Sequence, residues 1–232
     1  MLELRDIQVT RGDFILKADL AINPGTRTAV IGASGSGKST LLSLIAGFLA
    51  PETGRVVWNG TDLTESAPGK RPISILFQDQ NLFPHLTAAQ NIGLGLRPDL
   101  RLDRAQQDQV AAVLAQVGLA GFSDRKPENL SGGQQSRIAL ARILLRARPI
   151  LLLDEPFAAL GPALKSEMLT LLDQITADMG TTVLMVTHDP NDARAFAPQT
   201  ILVDDGVAHQ PVATAALMDN PPAGLKDYLG LP

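Results

Sequence analysis

Lys38 is the residue around which chemistry is most readily built. It belongs to Gly32-Ala33-Ser34-Gly35-Ser36-Gly37-Lys38-Ser39-Thr40, a run that fits G-x-x-x-x-G-K-[ST] and follows the apolar segment Thr28 to Ile31. Glycines in such a loop let the backbone turn tightly and aim successive N–H groups at phosphate oxygens. The positive end of the helix expected over Ser39 to Ala46 adds to that attraction. Lys38 would reach the β- and γ-phosphates of a nucleotide, Ser39 would offer its hydroxyl to Mg²⁺, and Thr40 would support the α-phosphate side. A glycine-rich turn matching by chance is the alternative, and the strand-then-helix context weighs against it.

A phosphate loop serves kinases, GTPases and ATPases alike, so a second group of residues matters more. Ile150-Leu151-Leu152-Leu153-Asp154-Glu155 reads as a buried strand ending in two carboxylates. At a sheet edge beside the loop, Asp154 would hold the Mg²⁺ shell. Glu155 would face the terminal phosphate and polarise an attacking water. Two solvated acids at a strand end are the plainer alternative.

Positioning these groups requires strands that end together. Leu4 to Val9, Ile15 to Ile22, Thr28 to Ile31, Val56 to Trp58 and Ile73 to Phe77 read as strands, the first two divided by Arg11-Gly12-Asp13. The middle of the chain turns helical: Thr87-Ala88-Ala89-Gln90 fits a capping box, and Val110, Val113, Leu114 and Val117 recur at helical spacing within Asp103 to Val117. Apolar runs return at Ile150 to Leu153, Val183 to Thr187 and Ile201 to Val203, the pattern of parallel strands buried on both faces. Asn220-Pro221-Pro222-Ala223-Gly224 reads as a loop near the end.

Composition narrows the classes. With 232 residues, 45% of them hydrophobic and 19% charged, the sequence suits one large globular domain. The net charge of -4, with both signs mixed along the chain, offers no basic stripe for nucleic acid, so no nucleic-acid partner is expected. With no cysteine there is no disulfide, thiolate metal site or Cys nucleophile. The charged N-terminus Met1-Leu2-Glu3-Leu4-Arg5-Asp6 does not read as a secretory signal. No run of about 18 apolar residues is present, so membrane association is expected to go through a partner.

Leu130-Ser131-Gly132-Gly133-Gln134, with a helix expected over Gln135 to Ala147 and stopped by Pro149, completes the set. Alone, an N-capped helix after a glycine turn would explain it. In this order, with the phosphate loop, Gln78, Asp154-Glu155 and His188, the chain resembles the nucleotide-binding subunit of ABC transporters over nearly its whole length. The resemblance implies a P-loop NTPase (RecA-like) α/β fold: a parallel-sheet core with an antiparallel β subdomain and an inserted α-helical subdomain. The single domain then divides into core segments 1–81 and 149–232 and a helical part at about 82–148.

It also implies roles. ATP and Mg²⁺ are the expected ligands, with Lys38, Gln78, Glu155 and His188 catalytic and Ser39, Gln78 and Asp154 at the metal. The loop Gly32 to Thr40 and, from a second copy arranged head to tail, Ser131, Gly132, Gly133 and Gln134 would enclose the nucleotide. The second anion site is physically sensible, because a serine hydroxyl, glycine N–H groups and a helix N-terminus converge on one charge. Gln78 would touch the metal or the attacking water, and His188 would bind the γ-phosphate and hold Glu155 and water in line. Leu82 and Phe83, in Leu82-Phe83-Pro84-His85-Leu86-Thr87, resemble the loop that grips a membrane subunit; His209 reads as surface. Transmembrane permease subunits, a periplasmic or extracellular solute-binding protein and a peripheral place on the cytoplasmic face of the inner membrane follow.

Two departures stand out. The family's S-A-L-D after the acidic strand is Ala158-Ala159-Leu160-Gly161 here, which bears on how the two nucleotide sites couple. No aromatic for the adenine occurs in Val9-Thr10-Arg11-Gly12-Asp13, leaving Arg11 or Phe14 to contact the base. Ala46-Gly47-Phe48-Leu49, Leu76 to Phe83 and Asn91-Ile92-Gly93-Leu94-Gly95-Leu96, with no added C-terminal β-domain, are most similar to the ATP-binding subunits of bacterial thiamine importers. Importers of iron, polyamine or another small solute are the alternative. A non-transport ABC ATPase would be expected to carry two cassettes, or coiled-coil or basic insertions.

Overall fold

The computed structural model describes residues 1–79, 81–222 and 224–226. Gln80 of the segment Leu76 to Phe83 and Ala223 of the expected terminal loop lie outside the described residues.

Period-2 alternation makes Leu2–Arg11 (β1) and Phe14–Ile22 (β2) an antiparallel hairpin, with Leu2, Leu4, Leu16, Leu20 and Ile22 buried. Arg27–Ile31 (β3) is buried almost throughout and delivers the chain into Lys38–Ala46 (α1) through the glycine loop. Thr53–Trp58 (β4) and Thr61–Asp62 (β5) extend the antiparallel layer on the far side of β1. Ile73–Leu76 (β6) then returns to the core.

Three helices separate β6 from the next strand, and each starts at a reciprocal cap. Thr87 caps Ala88–Gly93 (α2), Asp103 caps Arg104–Gln116 (α3), and Ser131 caps Gly132–Leu145 (α4), each with a Gln side chain bonding back three residues later. The last helix thus begins at Gly132 rather than Gln135. It stops at Leu145, before Ala147, which lies in the left-handed region at φ 48.

Ile150–Asp154 (β7), Pro162–Asp178 (α5), Thr182–Val186 (β8), Pro190–Phe196 (α6) and Gln199–Asp204 (β9) alternate as the apolar runs require. Val207–Ala208 (β10), Val212–Ala213 (β11) and Thr214–Asp219 (α7) follow. Strands β9, β3, β8, β7 and β6 lie side by side in that order, and all are parallel. Through β10 the same sheet continues into β2, β1, β4 and β5.

Because strand side chains alternate between faces, one strand feeds two cores. Leu151 and Leu153 of β7 pack with α3, α4 and α5, while Ile150 and Leu152 join α1 and the antiparallel layer. Helix α1 is therefore clamped between two layers, and Leu41, Leu42, Leu44 and Ile45 are all at most 1% exposed. Each such side chain contributes about 1.5–3 kcal/mol relative to its exposed state, which makes the phosphate loop's helix a rigid platform. Its C-terminus is closed by Arg71, 1% exposed, whose guanidinium donates to Leu44 O, Ile45 O, Thr64 O and Ser66 O. A cation at that end also opposes the negative pole of the helix.

Candidate nucleotide-binding and hydrolysis site

All four strands that carry candidate residues end at the carboxyl edge of the parallel sheet, where ligands bind in open α/β folds. Strand β8 lies between β3 and β7, so the residue after it stands between the phosphate loop and the two carboxylates. Two backbone bonds pin that edge: Thr187 N donates to Val30 O at 3.2 Å, and Glu155 N donates to Val186 O at 3.1 Å.

A cavity of about 570 Å³ opens there, lined by Gly32, Ser34, Gly35, Gly37, Lys38, Ser39, Thr40, Glu155, His188 and Phe14. Two glycines are sterically required. A Cβ on Gly32 (φ 155) would lie 2.0 Å from Val203 O of β9, and one on Gly37 (φ 109) would lie 2.7 Å from the Phe14 ring. Lys38 Nζ donates to Gly32 O at 2.9 Å and Ala33 O at 2.8 Å, folding the loop around its own ammonium. Burial pushes the Lys38 pKa below the ordinary lysine value, and the Glu155 and Asp154 charges partly counter it. Ala33 and Ser36 support the loop rather than line the cavity: Ser36 N donates to Ala33 O at 3.2 Å.

Asp154 and Ser39 meet across the site, with Ser39 Oγ donating to Asp154 Oδ1 at 3.3 Å. A hydroxyl and a carboxylate oxygen side by side suit a hard cation that takes its remaining ligands from phosphate and water. Burial raises the Asp154 pKa, the Ser39 bond opposes the rise, and the Glu155 charge adds to it.

That rise has a testable sign. A carboxyl whose folded pKa exceeds its ordinary 3.8 binds a proton more readily folded than unfolded. Stability from this group is therefore greatest below that value and falls as pH rises through the raised pKa. At neutral pH without nucleotide, Asp154→Asn is expected to raise the urea midpoint and flatten this part of the pH profile. A lower midpoint at neutral pH would contradict the burial cost.

Glu155 sits at φ 47, a left-handed backbone that a glutamate rarely adopts and that recurs where function demands it. Its Oε2 lies 2.9 Å from His188 Nδ1. An ionised carboxylate can only accept, so this pairing selects a ring with hydrogen on Nδ1. The expected residues of both strand ends thus converge with the loop.

Other expected residues stand elsewhere. Gln78 is exposed in the turn after β6 and does not line the cavity, although the pairing of Leu76 with Leu153 brings it to the same sheet edge as Glu155. Ser131, Gly132, Gly133 and Gln134 also lie outside the cavity of their own chain. Ser131 Oγ accepts from Gln134 N, Ser131 N donates to Gln134 Oε1 at 3.0 Å, and Gly133 lies under the Leu164 side chain of α5. Of the two candidates for base contact, Phe14 lines the cavity and the exposed Arg11 does not.

Sequence reading missed the polar network behind His188, in which Thr187 Oγ1 donates to Asp192 Oδ2 at 2.9 Å and Asp189 caps α6. The Asp189-Pro190 pair was the available signal, being an N-cap followed by proline at the first helical position. The segment Ala158 to Gly161 ends at the N-cap of α5, which Gly161 occupies without any side-chain bond.

The comparisons agree with this geometry. The family described as ABC transporter matches residues 15–158. The Thiamine import ATP-binding protein ThiQ of Cereibacter sphaeroides is 61% identical over 230 residues, spanning 99% of this chain and 100% of that protein. The protein of the same name from Ruegeria sp. is 55% identical over the same spans. Among solved structures, the dimeric post-hydrolysis state of the ATP-binding cassette MJ0796 bound to ADP and Pi superposes with a TM-score of 0.78 at 32% identity, covering 92% of this chain and 99% of that one. On sequence, fold and site together, this chain belongs to the ABC transporter family.

Proposed function

We propose that this chain is the ATP-hydrolysing subunit of a thiamine importer. The observation that carries the chemistry is the Glu155–His188 pair, 2.9 Å apart, on the wall of the cavity that also holds Lys38. The support for thiamine is whole-length likeness to relatives named for thiamine import.

The loop from Gly32 to Thr40 binds the phosphates, with Lys38 on the β- and γ-phosphates and the Phe14 ring toward the base. Ser39, Asp154 and, after movement of its turn, Gln78 would hold Mg²⁺, which supplies positive charge to the phosphate oxygens. Glu155 accepts a proton from the attacking water, and His188 holds the carboxylate in place. When both imidazole nitrogens are protonated, Nε2 also donates to the γ-phosphate.

Ser131, Gly132, Gly133 and Gln134 lie outside the cavity of their own chain, which favours their use in trans. Two copies would meet head to tail around two ATP molecules, as the dimeric likeness of the solved cassette supports. Among the described residues no helix is long and apolar enough to cross a membrane. The chain would sit peripherally on the cytoplasmic face of the inner membrane, held by permease subunits fed by a solute-binding protein. Phe48 at 56% and Phe83 at 45% exposure are apolar surface suited to that contact. Residues 82–148 would act as the helical subdomain that moves against core segments 1–81 and 149–232.

Uptake of labelled thiamine by cells with and without this chain tests the cargo: loss of thiamine uptake alone is expected, and loss of iron or polyamine uptake instead would overturn it. A second test concerns the seam. Gly161→Asp restores an N-cap oxygen, which alters helix stability by only a few tenths of a kcal/mol. A changed ATPase rate or Hill slope is therefore expected to report coupling between sites, and an unchanged pair of values would remove Gly161 from that role.

A further inference from the structure

Behind His188 lies a cleft of about 500 Å³ between α5 and α6, and the cation in it is Lys165. Lys165 stands on the first turn of α5, shortly after the segment Ala158 to Gly161, and its backbone N–H donates to Gly161 O at 2.9 Å. Its Nζ donates to Asp189 Oδ2 at 2.9 Å and to the Asp192 carboxylate at 3.0 Å. The side chains of Lys165, Asp192 and Asp189 are 17%, 15% and 30% exposed, so the Asp192 pair is largely shielded and the Asp189 pair partly so.

Both carboxylates hold the backbone around His188. Asp192 accepts the Thr187 hydroxyl from the residue before it. Asp189, the residue after it, donates its own N–H to Thr187 Oγ1 at 3.1 Å and caps α6 through Asn191 N at 2.9 Å. Burial alone would lower the Lys165 pKa, but its hydrogen bonds to the Asp189 and Asp192 carboxylates and their charges outweigh it and raise the pKa above the ordinary lysine value.

We propose that Lys165 is a positioning residue that fixes the Thr187–Asp189 segment, and so holds His188 against Glu155. The inference rests on the ATP-hydrolysis reading above. The two ion pairs tie the first turns of α5 to the segment that carries His188. Lys165 itself touches neither nucleotide nor water.

The experiment compares wild type, Lys165→Met, Lys165→Arg, His188→Ala and the Lys165→Met/His188→Ala double variant by steady-state ATPase. Lys165→Met is expected to lower kcat by on the order of 100-fold, as misplacement of a catalytic group by about an ångström does. KM for ATP should stay within about threefold, because the phosphate loop is untouched. Lys165→Arg should recover most of the rate. In the His188→Ala background Lys165→Met should add almost nothing, since residues acting as a unit are not additive. An unchanged kcat in Lys165→Met, an equal loss in both backgrounds, or a loss accompanied by collapse of ATP affinity would overturn the role of Lys165. With wild type active and His188→Ala impaired, those results leave the hydrolysis reading standing. No ATP hydrolysis by wild type would remove both.

Discussion

Glu155→Gln is expected to lower kcat by about 10²–10⁴-fold while ATP remains bound, and to leave the chain trapped as an ATP-held dimer. The substitution keeps the size of the side chain and an oxygen that can still accept from His188 Nδ1, 2.9 Å away in the wild type. What disappears is the capacity to take a proton from water. The backbone at φ 47 aims the side chain from a strained position on the strand end, so glutamine inherits the same direction. Single-turnover hydrolysis gives the chemical step, and size exclusion with and without ATP gives the dimer. The nucleotide stabilises the closed pair by mass action, so a variant that cannot discharge it should run as a dimer at concentrations where the wild type does not. Hydrolysis at the wild-type rate would remove Glu155 as the base.

Lys38→Ala is expected to weaken ATP binding by about 2–5 kcal/mol, a rise in Kd of roughly 30- to several-thousand-fold. Lys38 as a whole is only 9% exposed and burial already strips part of the water from its charge, so its attraction for phosphate is less screened than at the surface. It also bonds the carbonyls of Gly32 and Ala33, which holds the loop in shape before the nucleotide arrives. Lys38→Arg should not restore binding, because a planar fork cannot sit between those two carbonyls as a compact ammonium does. Titration calorimetry with MgATP measures the change, and a Kd within threefold of wild type would remove the lysine from the phosphate site. Circular dichroism should remain native, since α1 is held by apolar packing and by Arg71 at its far end.

Much of this site was legible because its signals are local. A glycine loop, a run of branched apolar residues and a capping box each act within about ten residues, so Gly32 to Thr40, Ile150 to Glu155 and Thr87 to Gln90 could be read directly. The helix at Ser131 was read three residues late because the glycines that follow argue against a helix interior, while the reciprocal Ser131–Gln134 cap overrides that propensity. The short strands β5, β10 and β11 carry only two residues each, too few for a period to show.

By itself the sequence determined the residue types on offer: a glycine-rich loop with a lysine, two carboxylates at a strand end, a histidine at another, and a second helix start led by Ser131 and two glycines. Strand order was beyond it, because hydrogen bonds between parallel strands join residues far apart in the chain and leave no periodic mark. Only the tertiary structure put β8 between β3 and β7 and so brought His188 to Glu155, selected Phe14 over Arg11 for the cavity, and buried Arg71 beneath α1. It also tied Lys165 to the segment around His188, a link between two helices whose residues stand 24 and 27 positions apart. Residue types decide which bonds can form; which groups come within 3 Å of one another is decided by packing.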